Sequence, residues 1–232
     1  MVRTRVAAAF LGAAVLSLSG CSSGAPQEKK DPANANPGPC KELLGTEGMA
    51  WFTNHTTESQ RKMNSSSSVT EARTVFRDQV LAWKPADEND IPRFVNSELC
   101  HAGNPQARDK DLVIEYGAST FPFDFAFEES NDKREKRVMT EAGPDVKLLY
   151  WKDPLLDDPL YYVYIRCGVP GAPISQLNEV PLEGKMKDSL TRDKSQKGHF
   201  QHLLHSAKVM AEEFGCTNKP EIPTTVPASV KD

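Results

Sequence analysis

Apolar residues recur at helical spacing in two long stretches of the chain. In SVTEARTVFRDQVLAWKP, Val69, Ala72, Phe76, Val80 and Trp83 share one face of a 3.6-residue period. Ser68 and Glu71 stand at the two positions of a capping box, and Pro85 ends the pattern. In GHFQHLLHSAKVMAEEFGC the stripe is Phe200, Leu203, Leu204, Ala207, Met210, Ala211 and Phe214, with Gly215 as the expected stop. A third, shorter helix is expected in PCKELLGTEGMAWF, where a proline leads and glycines interrupt; MNSSSSV after it reads as polar loop.

Between the two strong helices the period changes from helical to alternating. RFVNSELC, DLVIEYG, FPFDFAFEE, VKLLYW and LYYVYIRCGV are rich in aromatic and β-branched residues and are divided by glycine, proline and charged turns. They follow one another without intervening helices, which favours antiparallel pairing. The pattern predicts an α+β domain over 40–216, an antiparallel sheet of four or five strands covered by the N-terminal and C-terminal helices. The stretch after LYYVYIRCGV, rich in proline, lysine and aspartate, is expected as loop, and 217–232 as a disordered tail. No internal repeat is found.

The N-terminus adds a location. Arg3 and Arg5 precede an uncharged run of 13 residues, Val6 to Leu18. As a helix at about 1.5 Å per residue it reaches roughly 20 Å, short of a bilayer core of roughly 30 Å. A positive start, an apolar run and small residues have the order of an export signal, and the arginines would stay on the cytoplasmic side. Leu18, Ser19, Gly20 and Cys21 resemble the lipobox of bacterial lipoproteins. That resemblance implies a signal peptide over 1–20 and a diacylglyceryl group on Cys21, made the first residue by cleavage and anchored on the extracytoplasmic face of the cell membrane. Two acyl chains suffice for stable anchoring. Residues 22–39, SSGAPQEKKDPANANPGP, contain no aromatic or large aliphatic side chain and are expected as a flexible tether of roughly 25 Å reach.

Charge and cysteines narrow the class further. Without Arg3 and Arg5 the net charge of −4 becomes −6, which gives no electrostatic case for nucleic acid or anionic headgroups. Cys40, Cys100, Cys167 and Cys216 remain after Cys21, an even number in a chain expected outside the cytosol, so two disulfides are expected. Four cysteines allow three pairings. We favour Cys40–Cys100 and Cys167–Cys216, each tying a predicted helix end to a predicted strand. GPCKELL, YIRCGVPG and LLHSAKVMAEEFGC are similar to segments of actinobacterial lipoproteins, a resemblance that implies no particular activity and carries over no functional residue.

Candidate chemistry is sparse. His199, His202 and His205 have spacings at which two imidazoles can reach one metal ion, but His202 and His205 lie opposite the Phe200–Leu204–Ala207 face and are expected on a solvated face. Phe121, Phe123, Phe125 and Phe127 alternate, so on a strand they would share one side as core beneath the helices; uncovered, they would offer a platform to an apolar ligand. Asp153, Asp157 and Asp158 lack the spacing of a calcium loop and read as a turn. The run Lys133 to Arg137 reads as a solvated hairpin loop. No nucleophile elbow, phosphate loop or zinc-protease motif is present. The reading is a membrane-anchored binding or accessory module without cofactor or metal, partnered by another envelope protein or a small apolar ligand. An envelope hydrolase with a site assembled from distant residues is the alternative.

Overall fold

A computed structural model describes residues 38–84, 93–103, 110–127, 132–156 and 158–232. Cys21, the signal-like run and nearly all of the tether fall outside these residues.

The first helix, α1 (Cys40–His55), is longer than expected because it continues past its glycine break. Gly45 adopts φ +63°, ψ −174°, which splits α1 into two helical halves. A side chain there would meet His205, since a Cβ would lie 2.4 Å from the imidazole Nε2. After a short 3-10 turn and β1 (Met63–Asn64), α2 (Val69–Ala82) begins at the expected capping box. Glu71 N donates to Ser68 Oγ at 3.2 Å and Ser68 N to Glu71 Oε2 at 2.7 Å. Ala72, Phe76 and Val80 are buried, as the periodicity requires.

The sheet has seven antiparallel strands: β1, β2 (Ser97–Gly103), β3 (Asp111–Ala118), β4 (Lys136–Gly143), β5 (Val146–Lys152), β6 (Leu160–Ile165) and β7 (Leu182–Asp188). Their order is β1-β2-β3-β7-β6-β5-β4, so the last strand in the chain lies at the centre. The register places Ile114 and Tyr116 beside Met186 and Gly184, and these beside Tyr161 and Val163. That face, with Leu112, Leu148, Ile165 and Leu182, is the core under the helices. Tyr116 lies over Gly184, where a Cβ would come within 2.5 Å of the ring, and its hydroxyl meets Ser206 Oγ at 2.6 Å. A short α3 (Gln176–Glu179) precedes β7, and α4 (Gln196–Phe214) follows it. Ser195 Oγ caps α4 by accepting from Gly198 N, and Gly215 ends it in the left-handed conformation, φ 67° and ψ 45°.

Several expectations are corrected by this sheet. β7, and Lys136 and Arg137 at the start of β4, fall in stretches expected as loop, yet β4 pairs with β5 and β7 with β3 and β6. β7 escapes notice because its core-facing positions include Gly184 and Asp188 and its other positions are Glu183, Lys185 and Lys187. Tertiary pairing overrides that weak propensity. Conversely, residues 121–127 of FPFDFAFEE form no strand. They lie against the side of the sheet that the helices leave uncovered: Phe123 packs there with Leu149, Tyr162 and Tyr164.

The segment 217–232 carries no helix or strand, but it is not a free tail. Thr217 N donates to Gly168 O at 2.9 Å and Gln201 Nε2 to Thr224 O at 2.7 Å. Asp232 Oδ1 accepts from Ser195 Oγ and Lys197 N, both at 3.0 Å, and Val230 is buried. Pro220, Pro223 and Pro227 restrict the unfolded chain and so reduce the entropy lost on docking.

Two disulfides staple the fold, Cys40–Cys100 and Cys167–Cys216. The first joins the start of α1 to β2, and the second joins the segment after β6 to the end of α4. Among the described residues no helix is long and apolar enough to cross a membrane.

Candidate functional site

The three histidines of α4 have three different fates, because α4 is covered on two sides. It rests on β6 and β7 and is flanked by α1. Its buried surface is therefore wider than its apolar stripe and takes in His199 and His202, the second contrary to the expectation that it lies with His205 on a solvated face. Only His205 is exposed.

His199 is locked. Its Nε2 lies 2.9 Å from Asp188 Oδ2 and its Nδ1 2.7 Å from the Ser195 carbonyl oxygen. Both ring nitrogens are therefore engaged. The ring stacks on Tyr161 at 4.3 Å and 2°. Asp188 also accepts from Leu190 N and Thr191 N at 2.9 Å and from the Thr191 hydroxyl. Burial alone would raise this carboxyl; the His199 hydrogen bond and charge, with the Thr191 bonds, outweigh it and hold Asp188 below the usual range. The pair resembles the base and orienter of a hydrolase in composition only. No ring nitrogen is left to take a proton from a nucleophile, so its work is to fasten β7 to the start of α4.

His202 is different. It is 8% exposed and has no hydrogen-bond partner among the described residues. Trp51 lies 4.6 Å from it, centroid to centroid, and is itself fixed by a 2.7 Å hydrogen bond from Nε1 to Asp193 Oδ2. Burial, then the neighbouring His199, press its basicity down to about 4, while Asp193 pulls the other way, so the ring is neutral at pH 7. It borders a cavity of about 420 Å³ between α1, α4 and residues 223–224. Thr46 and Glu47 contribute from α1, and Gln201, His205 and Lys208 from α4. Gly45, where α1 breaks, lines this cavity. His205 fills the notch, its Nε2 donating to the Glu42 carbonyl oxygen at 3.1 Å.

The phenylalanines divide as well. Phe123 is 3% exposed, with the Arg166 guanidinium 4.2 Å and Lys147 Nζ 4.8 Å from its ring centre. Both cations pair with Asp124. Phe121, Phe125 and Phe127 form a cluster with centroids 4.9 to 5.0 Å apart, Arg137 stands 5.6 Å from Phe127, and Phe125 is 40% exposed. The reading of all four as core under the helices is thus overturned, since one buried position and one exposed position occur on a turn. Phe123→Ala is expected to cost about 3 kcal/mol, and Phe125→Ala about 0.5 kcal/mol or less. Equal shifts of the urea midpoint in the two variants would contradict this division.

The remaining candidates are structural. Asp153 Oδ1 accepts from Leu155 N at 2.8 Å within its turn, and Asp157 lies outside the described residues. Among the described residues no group of three or more metal-ligating side chains comes together. Of Lys133–Arg137, Arg134 pairs with Asp132 in an exposed turn, while Lys136 and Arg137 open β4. Sequence reasoning passed over Trp51, Glu47, Asp188, Asp193 and Lys208, which carry no local motif; only the meeting of α1 with α4 gives them a common place. No protein-family model, no curated protein and no solved structure matches this chain.

Proposed function

We propose that the protein is an exported binding module, held at the extracytoplasmic face of the cell membrane by lipid on Cys21 and binding a small molecule in the cavity beside His202. The observation that carries the binding reading is a neutral, nine-tenths buried imidazole without a partner, bordering that cavity. Among the described residues the one buried side-chain polar atom without a partner is Asn178 Oδ1, so the His202 nitrogens reach solvent, and a ligand in the cavity can take the place of water on them. Two disulfides fit an oxidising compartment. LSGC after a short apolar run supports the anchor. The partly exposed cluster of Phe121, Phe125 and Phe127 favours a second contact, with an apolar ligand or another envelope protein.

Native mass spectrometry of the protein extracted from membranes tests the reading. A small-molecule adduct is expected on the wild type and is lost in His202→Phe, which keeps the ring against Trp51. Cys21→Ser should remove the acyl mass and leave the protein off the membrane. Wild-type protein without an adduct would remove the binding reading, and a Cys21→Ser variant that stays lipidated would remove the anchor.

A further inference from the structure

The two edges of the sheet are finished differently. Along β2 runs the chain that leads into α2: β1 pairs with it, Ser67 N donates to Glu98 O at 3.2 Å and Gly103 N to Lys62 O at 3.1 Å. At the other edge β4 pairs with β5 alone, and among the described residues nothing hydrogen-bonds to its outer N–H and C=O groups. Such an edge is a template for another strand. Its side chains decide which one. Pairing with Trp151, Leu149 and Lys147 puts Arg137, Met139 and Glu141 on the side of the sheet that the helices leave uncovered, and puts Val138 and Thr140 on the other. Val138 is 41% exposed; Glu141 is exposed and joins no ion pair among the described residues. Arg137 is steadied over Trp151, its guanidinium 4.8 Å from the ring centre, and beside Glu135.

Charges on an edge strand ordinarily deter pairing. Here their signs are complementary about Met139. Opposed residues of an antiparallel pair point to the same face, so a strand paired with its own copy is centred on a residue and not between two. Centred on Met139, Arg137 of each copy lies opposite Glu141 of the other, Val138 opposite Thr140 and Met139 opposite itself, all before the bulge at Glu141/Gly143. Centred one residue earlier, Glu141 would face Glu135; one residue later, it would face Met139 and Arg137 would face Gly143. One register therefore satisfies both charges of both copies.

We propose that the partner of this edge is a second copy of the chain, the two β4 strands pairing antiparallel through residues 137–141 about Met139 and joining their sheets into one. The contact of a single strand is small, so the dimer is weak and concentration-dependent. It stands apart from the cavity beside His202 and does not depend on a ligand there.

Disulfide cross-linking of the whole mature protein tests the register. Opposed Cα atoms in an antiparallel pair lie about 4.5 to 5.5 Å apart, within the range of about 4.4 to 6.8 Å that a disulfide bridges. Met139→Cys, on the axis, should therefore give a covalent dimer under mild oxidation. Val138→Cys should not, because its counterpart would lie two residues further along the other strand, more than about 7 Å away. Sedimentation velocity tests the charges. The wild type should show a reversible monomer–dimer equilibrium, and Arg137→Glu and Glu141→Arg should each weaken it about tenfold or more, since each sets like charges opposite one another twice. Mixing the two variants should restore the dimer, because every carboxylate then faces a guanidinium. Both positions are exposed, and the Met139→Cys cross-link relies on neither change. A wild type that stays monomeric up to about 1 mM overturns the proposal and leaves the edge to a strand of a different protein. A cross-link at Val138→Cys in place of Met139→Cys, a dimer indifferent to both charge changes, or a mixture that stays monomeric overturns it as well.

Discussion

Replacing Cys40 and Cys100 together by serine is expected to lower the unfolding free energy by about 4 kcal/mol, and the Cys167/Cys216 double variant by a similar amount. The bridges span 60 and 49 residues of sequence, so each removes a large loop-closure entropy from the unfolded chain. The native state adds to the effect. All four sulfurs are in the core cluster, where a pair of hydroxyls would be buried in place of sulfur. The two bridges hold the two helices that form the cavity: α1 by its first turn and α4 by its last. Loss of the first should therefore also loosen the environment of His202. Equilibrium urea unfolding of the two double variants measures the cost. A midpoint unchanged from the oxidised wild type in either would show that the bridge contributes nothing beyond the packing around it.

Asp188→Ala should cost about 3 to 5 kcal/mol, the range for removing one member of a buried ion pair. The carboxylate side chain is fully buried and accepts from His199, Leu190 N and Thr191, so its removal strands a buried imidazole and two backbone donors together. The same group makes stability depend on acid. A carboxyl held below its ordinary value of 3.8 adds stability that is fully present above that value and is lost as pH falls through the lower value it has in the folded state. In Asp188→Asn that contribution is absent at every pH. The difference in urea midpoint between wild type and Asp188→Asn should be widest at neutral pH and should narrow on acidification from about pH 4 downward. A difference that stays constant, or grows, as pH falls would contradict the assignment of a depressed carboxyl to Asp188.

The helices α2 and α4 were legible residue by residue, because caps and apolar spacing act within one turn or a few. Ser68 with Glu71 sets where α2 starts, Gly215 sets where α4 stops, and neither depends on the rest of the fold. β5 and β6 were legible for a related reason, since both faces of each carry large apolar side chains, and β3 through the alternation of Leu112, Ile114 and Tyr116. β7 could not be read that way. Its place at the centre of the sheet is set by partners far away in the chain, and Gly184 is there for Tyr116 rather than for its own strand. The phenylalanine run misled in the opposite sense, since alternation by two also fits a turn that presses one ring inward and turns another out.

The candidate site depended still less on local pattern. The spacing of His199, His202 and His205 put them on α4, but spacing alone assigns a face only relative to other residues of the same helix. Whether that face meets water, a carboxylate or a cavity is decided by what lies against it. Asp188 comes from the end of β7, Trp51 from α1 and Thr224 from the C-terminal segment. By itself the sequence determined an α+β composition, the two amphipathic helices and an even set of cysteines, because these follow from caps, periodicity and counting. Only the tertiary structure decided the strand order, the two faces of the sheet and the separate environments of the three histidines. Each of those is a relation between residues distant in sequence, fixed by packing that no local window contains.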